Sequence, residues 1–468
     1  MTPPENSPPD IPNDDSPQPL GQSIKQRVRS GFVWVVVGYV TGIIVQMGSI
    51  MVLTRLLFKD IFGLMAIVAV VVQALSLFSD MGVGLSVIQN KRGDDPRFLN
   101  TAWTVSILRG FVLWIIALPI AWVAAGFYEQ NILKALIPVT ALTAIIQGFW
   151  ATSVHTAQRH LQLGRLTFLQ VFAAACGSAV AIVWAWMDAT IWALVAGALG
   201  NAIVYLALTH LVLPGIRNRL CWDRDAARSL FTFGRWVLPN TIIGFTGNAV
   251  DRPMLLKLAD EGTTGIYFIA FQIFQRACSL ITRLGSTVLF PALSRRADLP
   301  RDELRRRLVR LRGRGLRLAA VGLAPIVVVA DLVFEIMFPP DIETGAWILP
   351  ILMAGLWGVI LANTITPVLL AIGKPQYQLF GSVPRLIVVS IGCYFAYHVV
   401  GLHGFVAAVA IGPLVRYIGI SVGLWRQGLH AVRQDLLHTL LFAALLAEGL
   451  AIRWALGLGT PLDRLLMN

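Results

Sequence analysis

Residues 262–291 read GTTGIYFIAFQIFQRACSLITRLGSTVLFP, a long apolar stretch that is interrupted by two arginines, Arg276 and Arg283. A helix of this length can cross a bilayer with some tilt. A guanidinium near the bilayer centre costs at least ~2.5 kcal/mol on insertion scales, so such arginines usually face a bundle interior or a water-filled cavity. The stretch therefore predicts a membrane-spanning helix with one polar face.

The rest of the chain has the same character. Of its 468 residues, 56% are hydrophobic and 13% are charged, with a mean hydropathy of +0.70, which is outside the range of soluble proteins. Twelve apolar stretches are expected to span the membrane: 31–57, 61–89, 103–127, 132–157, 167–187, 190–214, 231–257, 262–292, 315–338, 343–371, 377–400 and 402–425. A thirteenth, 436–457, is left open because Glu448 and Arg453 interrupt it.

These stretches are too long and too continuous for the strands of a membrane barrel, which need only ~10 residues of alternating pattern. Each should be an α-helix that satisfies its own backbone hydrogen bonds. The predicted fold class is all-α, a polytopic α-helical membrane protein.

The positive charges lie mainly on alternate inter-span segments, above all in the run from Arg295 to Arg317, and acids such as Asp331 and Glu335 lie on the others. The positive-inside rule then predicts a cytoplasmic N-terminus. The net charge of +13 is interpreted as membrane orientation rather than nucleic-acid binding. The run itself is expected to be a cytoplasmic amphipathic helix that touches anionic lipid.

The chain shows no pattern typical of an enzyme. It has no phosphate-binding glycine loop, no nucleophile elbow and no zinc-ligand spacing. Its four cysteines are scattered and are interpreted as packing residues rather than disulfides or metal ligands. No cleavable signal peptide is visible. We therefore expect no catalytic residue, no metal and no cofactor, apart from a possible coupling ion.

A weak internal repeat appears when the chain is shifted by 202 residues, which places Gly42 on Gly244 and Gly63 on Gly265. Both copies would start from the same side of the membrane, so the repeat is parallel, with an axis along the membrane normal. The predicted organisation is a disordered and basic tail (1–30), a six-helix lobe (31–213), a linker (214–230), a second six-helix lobe (231–425) with a basic loop (294–314), and an extension with a possible extra helix (426–468).

Polar residues recur at helical spacing in both copies. Gln272, Arg276, Ser279 and Arg283 lie on one face of the eighth span. The first span contributes Gln46, and the seventh contributes Asn240, Asn248, Asp251 and Arg252. For the arginine face a wet functional cavity is favoured over a buried structural ion pair, and both stay open. Asp251 beside Arg252 is either a local charge pair or part of that cavity.

In the first lobe, Asp80 and Arg109 have similar expected depths and could tether two helices or line a cavity. Asp80 and Asp251 are the candidates for a coupling proton or sodium ion, although downhill flipping without an ion also stays open. Arg385 and Arg416 are expected near the cytoplasmic surface, where long side chains reach water or lipid phosphate.

Several phrases resemble the polysaccharide transporter (oligosaccharide flippase) family of the multidrug/oligosaccharidyl-lipid/polysaccharide flippase superfamily. They are VLTRLLFKDIFGLMAIVAVVVQALSLFSDMGVGLSVIQ at 52–89, FGRWVLPNTIIGFTGNAVDRPMLLKL at 233–258, and NTITPVLLAIGKPQ at 363–376. The resemblance implies a flippase that moves an undecaprenyl-diphosphate-linked oligosaccharide across the bacterial inner membrane by alternating access, for surface or exopolysaccharide synthesis. It implies membrane lipids as partners and leaves polymerase or export machinery as a further possibility.

The resemblance also implies that Arg109, Arg276 and Arg283 form a cationic cavity lining. Where members of this family often carry a proline, this chain has Arg276 followed by Ala277, which favours an acidic sugar as cargo. A multidrug or cation antiporter of the same superfamily is the main alternative, but it predicts an acidic cavity. A membrane glycan polymerase is less favoured because long outward loops and catalytic residues are lacking.

Overall fold

The computed structural model describes residues 20–79, 92–160, 162–228, 249–284, 300–372 and 375–460, together with Val87, Gly247 and Asp463. Over these residues the fold is helical without β-strands, which confirms the predicted all-α class. The longer helices are α1 (Leu20–Leu56), α2 (Lys59–Ser79), α3 (Pro96–Phe127), α4 (Leu133–Gly148), α5 (Ser153–Arg159), α6 (Leu163–Met187), α7 (Trp192–Leu211), α8 (Asp251–Leu258), α9 (Glu261–Leu284), α10 (Arg301–Met337), α11 (Gly345–Ala371), α12 (Leu379–Ile387), α13 (Cys393–Val400), α14 (Leu402–Arg426) and α15 (Val432–Ala455).

Within the described ranges, nine helical spans are long and apolar enough to cross a membrane, or ten if α4 and α5, bent by 63°, count as one. Residues 388–392 form a π-helical turn that joins α12 to α13 into one of these spans. Large apolar side chains such as Trp122, Trp186 and Val399 are exposed on the outside of the bundle, where lipid would cover them. The chain is a multi-pass membrane protein. The total of twelve or thirteen spans stays a prediction, because spans 61–89 and 231–257 run into residues beyond the described ranges.

Most helix contacts fall within two groups, α1–α7 and α8–α15, and the largest contact between the groups is that of α2 with α9. Small residues let helices within a group approach closely, as expected in a membrane. In the first group, a Cβ on Gly110 of α3 would lie 2.7 Å from the Ala144 carbonyl oxygen of α4. In the second, a Cβ on Gly355 of α11 would lie 2.7 Å from the Ala410 carbonyl oxygen of α14. The exact lobe limits predicted from the sequence, and the linker between them, stay predictions.

The C-terminal helix α15 runs parallel to α10. Side chains on one helix bond main-chain oxygens on the other at a constant separation of 125 residues: Arg305 to His430, Gln434 to Val309, and Arg453 to Val328. A constant separation means that both helices run in the same direction. α15 thus lies along most of the length of α10. Its own length and apolar character are those of a further membrane span.

Two buried salt bridges join these helices at their two ends, Arg312 with Asp435 at 2.6 Å and Arg453 with Asp331 at 2.5 Å. The second explains how Arg453 is accommodated within an apolar helix. The predicted basic loop 294–314 is helical from Arg301 onward and is continuous with α10. Arg312 is completely buried. It therefore does not face lipid, which is the position that the sequence predicts for the basic run from Arg295 to Arg317.

Candidate functional site

The two helix groups meet where α2 crosses α9. A Cβ on Gly63 would collide with the carbonyl oxygen of Glu261, and a Cβ on Gly265 would collide with that of Lys59. Gly63 and Gly265 are 202 residues apart, as are Lys59 and Glu261, so the contact is reciprocal between repeat positions. The main chains touch because neither glycine has a side chain. We call this region, formed by residues 57–63, 127–131 and 253–265, the crossing end.

Three hydrogen bonds between described residues also link the groups at the crossing end. The Tyr128 hydroxyl donates to the Pro253 carbonyl oxygen at 3.2 Å, and Lys257 Nζ donates to the Phe127 carbonyl oxygen at 3.0 Å. The Gln130 amide donates to Glu261. A shallow cavity here is lined by Asp60, Asp260 and Glu261 among others. The crossing end is therefore joined by these polar contacts, beside several carboxylates, and by the buried apolar side chains that Phe62 and Ala66 of α2 share with α9.

The opposite end of the bundle, which we call the basic end, holds Arg92, Arg159, Arg165 and the arginines of 301–317. Arg92 bonds both Asp95 at 2.8 Å and Asp223 at 3.0 Å, and so ties the start of α3 to the segment that follows α7. The hydrogen bond from Arg92 is the main reason why the pKa of Asp95 and the pKa of Asp223 both lie below their ordinary values. These groups are exposed, so they hold loops in place rather than form a cavity.

Asp251 and Arg252 are buried inside the second helix group. The Tyr267 hydroxyl donates a hydrogen bond of 2.6 Å to Asp251, whose other oxygen lies 3.6 Å from Arg252 Nε. The Arg252 guanidinium also stacks over the Phe271 ring at 4.7 Å. Of the two interpretations of these residues, a local charge pair or part of a cavity, this geometry favours the charge pair. A carboxylate with such partners is poorly suited to attract a further cation.

Four other predicted site residues are partly buried within spans: Gln46, Arg109, Gln272 and Arg276. Arg109 lies on α3, which packs against α4 and α2, whereas Arg276 lies on α9, which packs against α2 and α11. The described contacts thus put the two arginines in different groups and do not bring them together. Asp80, Asn240 and Asn248 lie outside the described residues, and for Arg283 only the helical main chain is described. The cavity-lining roles of all these residues stay predictions.

Two arginines that the sequence analysis assigned to the surface have a different environment. Arg385 of α12 and Arg416 of α14 are partly buried and lie close enough for their charges to interact. Among the described residues neither forms a salt bridge, and the buried Nε of Arg385 has no hydrogen-bond partner. A π-helical turn follows α12 directly, and no sequence pattern predicts such a turn.

In the part of the chain that the structure describes, the fully buried charges balance. Asp251, Asp331 and Asp435 are buried, and each lies beside a buried arginine, namely Arg252, Arg453 and Arg312. An uncompensated buried charge would be costly, and these pairs avoid it. Arg385 and Arg416 therefore add positive charge inside the bundle without a paired acid in the described part of the chain.

A family model described as "Polysaccharide biosynthesis protein" matches residues 52–338. The lipopolysaccharide biosynthesis protein WzxC of Escherichia coli (strain K12) is 22% identical over 416 residues, which cover 86% of this chain and 78% of that protein. The teichuronic acid biosynthesis protein TuaB of Bacillus subtilis (strain 168) is 21% identical over 58% of this chain. The matched region spans only 56% of TuaB.

Solved structures show the same fold. A lipid II flippase MurJ in an inward closed conformation aligns with a TM-score of 0.71 at 12% identity and covers 91% of this chain and 92% of that chain. A multidrug resistance MATE family transporter of the MOP superfamily, in an inward-facing conformation, aligns with a TM-score of 0.57 at 14% identity, over 86% of this chain and 95% of that chain. The chain therefore belongs to the polysaccharide biosynthesis protein family and shares its fold with these transporters.

Proposed function

We propose that this protein flips an undecaprenyl-diphosphate-linked oligosaccharide, a repeat unit of a surface or secreted polysaccharide, across the bacterial inner membrane. The observation that carries the proposal is the excess of intramembrane arginines over acids. Diphosphates and acidic sugars are anions that guanidinium groups bind through charge-assisted, often bidentate, hydrogen bonds. Among the described residues, Arg385 and Arg416 lie outside the buried salt bridges, so their positive charge is available to an anionic cargo.

The arrangement of the two ends supports alternating access. With a cytoplasmic N-terminus the basic end faces the cytoplasm, where the lipid-linked sugar is made. The crossing end then faces outward and must separate before the sugar can leave. Its hydrogen bonds lie near water, so bonds to water replace them at a low net cost when the two groups separate. No bond in the cargo is made or broken, so the proposed activity is transport and not catalysis.

The proposal is tested by deletion and complementation in the native host. Deletion should stop polymer export and accumulate the lipid-linked oligosaccharide in the inner leaflet, where mass analysis identifies the cargo. Arg276→Ala should fail to restore export, whereas Arg307→Ala, which changes an exposed arginine paired with Glu303, should restore it. Absence of the accumulated lipid, or full export with Arg276→Ala at normal protein levels, would contradict the proposal.

A drug or cation antiporter shares the fold, but its cargo requires accessible negative charge within the membrane. In the described part of the chain each fully buried acid is beside an arginine. The carboxylates of the crossing end lie at the helix termini, outside the bundle centre. Unchanged drug susceptibility on overexpression is expected, and a gain of resistance would favour the antiporter.

A further inference from the structure

We propose that Arg385 and Arg416 form a phosphate-binding site inside the second helix group, between α9, α12 and α14. The proposal rests on the flippase function and assigns it a specific subsite for the diphosphate of the lipid-linked cargo. The residues and contacts that support it are separate from the face of α9 that carries Arg276 and Arg283.

The site exists because α12 and α14 touch through their main chains. A Cβ on Gly381 of α12 would collide with the carbonyl oxygen of Arg416, and a Cβ on Gly419 of α14 would collide with that of Phe380. Pro384 has no N–H, so it cannot bond the Phe380 carbonyl oxygen within α12, which leaves that oxygen free to lie against Gly419. This close approach brings the two arginines near each other, so that their charges interact.

The Arg385 side chain lies beside Gly412 of α14. A Cβ on Gly412 would lie 3.6 Å from Arg385 Nε and 3.7 Å from its Cγ, at ordinary contact distance. Arg385 is also near enough to Cys278 of α9 for an electrostatic interaction. The π-helical turn at 388–392 follows within three residues, and such turns are frequent at functional sites because they change the direction in which side chains point.

Within the described ranges, no acid forms a salt bridge with Arg385 or Arg416. Two guanidinium groups repel each other, and burial makes an uncompensated charge more costly. Asp251 is near enough to interact with Arg385, but its oxygens are already occupied by Tyr267 and Arg252. The Arg385 Nε is buried without a partner among the described residues. A diphosphate would supply both the negative charge and the missing hydrogen-bond acceptors.

The depth of the site suits a group that enters from the basic end. Arg385 lies six residues from the start of α12, about 9 Å along the helix, and Arg416 lies ten residues from the end of α14, about 15 Å. Arg385 and Arg416 thus lie between the expected level of the lipid head groups at the basic end and the middle of the bilayer.

The test measures binding by purified full-length protein in detergent. Undecaprenyl diphosphate without sugar is the main probe, and phosphatidylglycerol in the same micelles represents a bulk phospholipid head group. Arg385→Gln and Arg416→Gln should each weaken binding of undecaprenyl diphosphate at least tenfold, whereas Arg385→Lys should retain part of it. Arg307→Gln, at an exposed arginine on α10, is the matched control and should bind like the wild type.

Thermal unfolding without ligand verifies that each variant is folded. If binding of undecaprenyl diphosphate is the same in wild type and both glutamine variants, the site is wrong even though the flippase function stands. If only phosphatidylglycerol binding depends on the two arginines, the site holds structural lipid and the proposal is also overturned. A wild type that binds no undecaprenyl diphosphate would instead contradict the proposed function.

Discussion

The molecule contains two long helix contacts built in opposite ways. At the crossing end, α2 and α9 touch through two glycines and share buried apolar side chains, while hydrogen bonds near water join residues 127–130 to α8 and the start of α9. Along the pair formed by α10 and α15, two buried salt bridges and a hydrogen-bond register hold the helices over most of their length. The first contact joins different groups, whereas the second lies within one.

The difference indicates where the protein can change shape. Breaking a buried salt bridge exposes two charges to low dielectric and is strongly unfavourable. Hydrogen bonds near water are replaced by bonds to water at a net cost of only ~1 kcal/mol each. We therefore infer that α10 and α15 move together as one body, and that the motion of alternating access separates α2 from α9.

Crosslinking should give the largest contrast between the two contacts. Asp60→Cys with Gly262→Cys would place sulfurs across the crossing end, where a Cβ on Gly262 would lie 2.7 Å from Asp60 Oδ1. Val328→Cys with Gly449→Cys would link α10 to α15 with Cβ atoms 3.7 Å apart, within the usual range for disulfides. In an active variant without the four native cysteines, oxidation of the first pair should abolish export, and oxidation of the second should leave it unchanged.

A reducing agent should restore export in the crossing-end variant, which separates a locked protein from a damaged one. Disulfide formation is measured by mobility on non-reducing gels before each export assay. Full export with a completely formed crossing-end disulfide would mean that α2 and α9 do not separate.

Removing one partner of a buried pair should have the next largest effect. Asp331→Leu leaves the Arg453 charge uncompensated and should lower the free energy of unfolding by about 3–5 kcal/mol. The double variant Asp331→Leu with Arg453→Met should recover most of the loss, because it removes both charges. The measurement is the unfolding midpoint in detergent. The matched control Glu303→Leu breaks an exposed pair with Arg307 and should cost less than about 1 kcal/mol.

Adding a methyl group at the crossing should have a smaller effect, equal for the two repeat positions. Gly63→Ala and Gly265→Ala each force a Cβ against a carbonyl oxygen, an overpacking that costs about 1–3 kcal/mol. Both should reduce export several-fold and increase maleimide labelling of a cysteine at position 130. Gly48→Ala, on α1 with open space around it, should behave like the wild type. Unequal effects at 63 and 265 would argue against a symmetric contact.

The fold class could be predicted from the sequence because membrane helices depend on local properties, length and hydropathy. The contact between α2 and α9 could be predicted in part, because the shift of 202 residues aligns Gly63 with Gly265. Which glycine faces which carbonyl oxygen depends on how the two groups dock, and this information is not local. The sequence also left α15 open because it could not show that Arg453 has Asp331 as its partner, 122 residues away.

The candidate site was predicted less well for the same reason. The depth of Arg385 and Arg416 was estimated from distance to the helix ends, which suggested that both side chains reach the surface. Their actual environment depends on close main-chain packing of α12 on α14 and on a π-helical turn. Asp251 was visible as a charged residue, but its hydrogen bond from Tyr267 depends on the packing of α8 on α9.

The salt bridges of Arg92 at the basic end are a third kind of contact, accessible to water and weaker than the other two. Arg92 holds the pKa of Asp95 and that of Asp223 below the ordinary value near 3.8, so the loop contact is complete above about pH 4. It should be lost as the pH falls through the lowered pKa values, because protonated carboxyls no longer pair with Arg92. Hydrogen exchange of residues 92–101, corrected for intrinsic rates, should speed up modestly at pH 3 relative to pH 6. Asp223→Asn should weaken this protection at pH 6 already, and pH-independent exchange in the wild type would show that the contact contributes nothing to loop order.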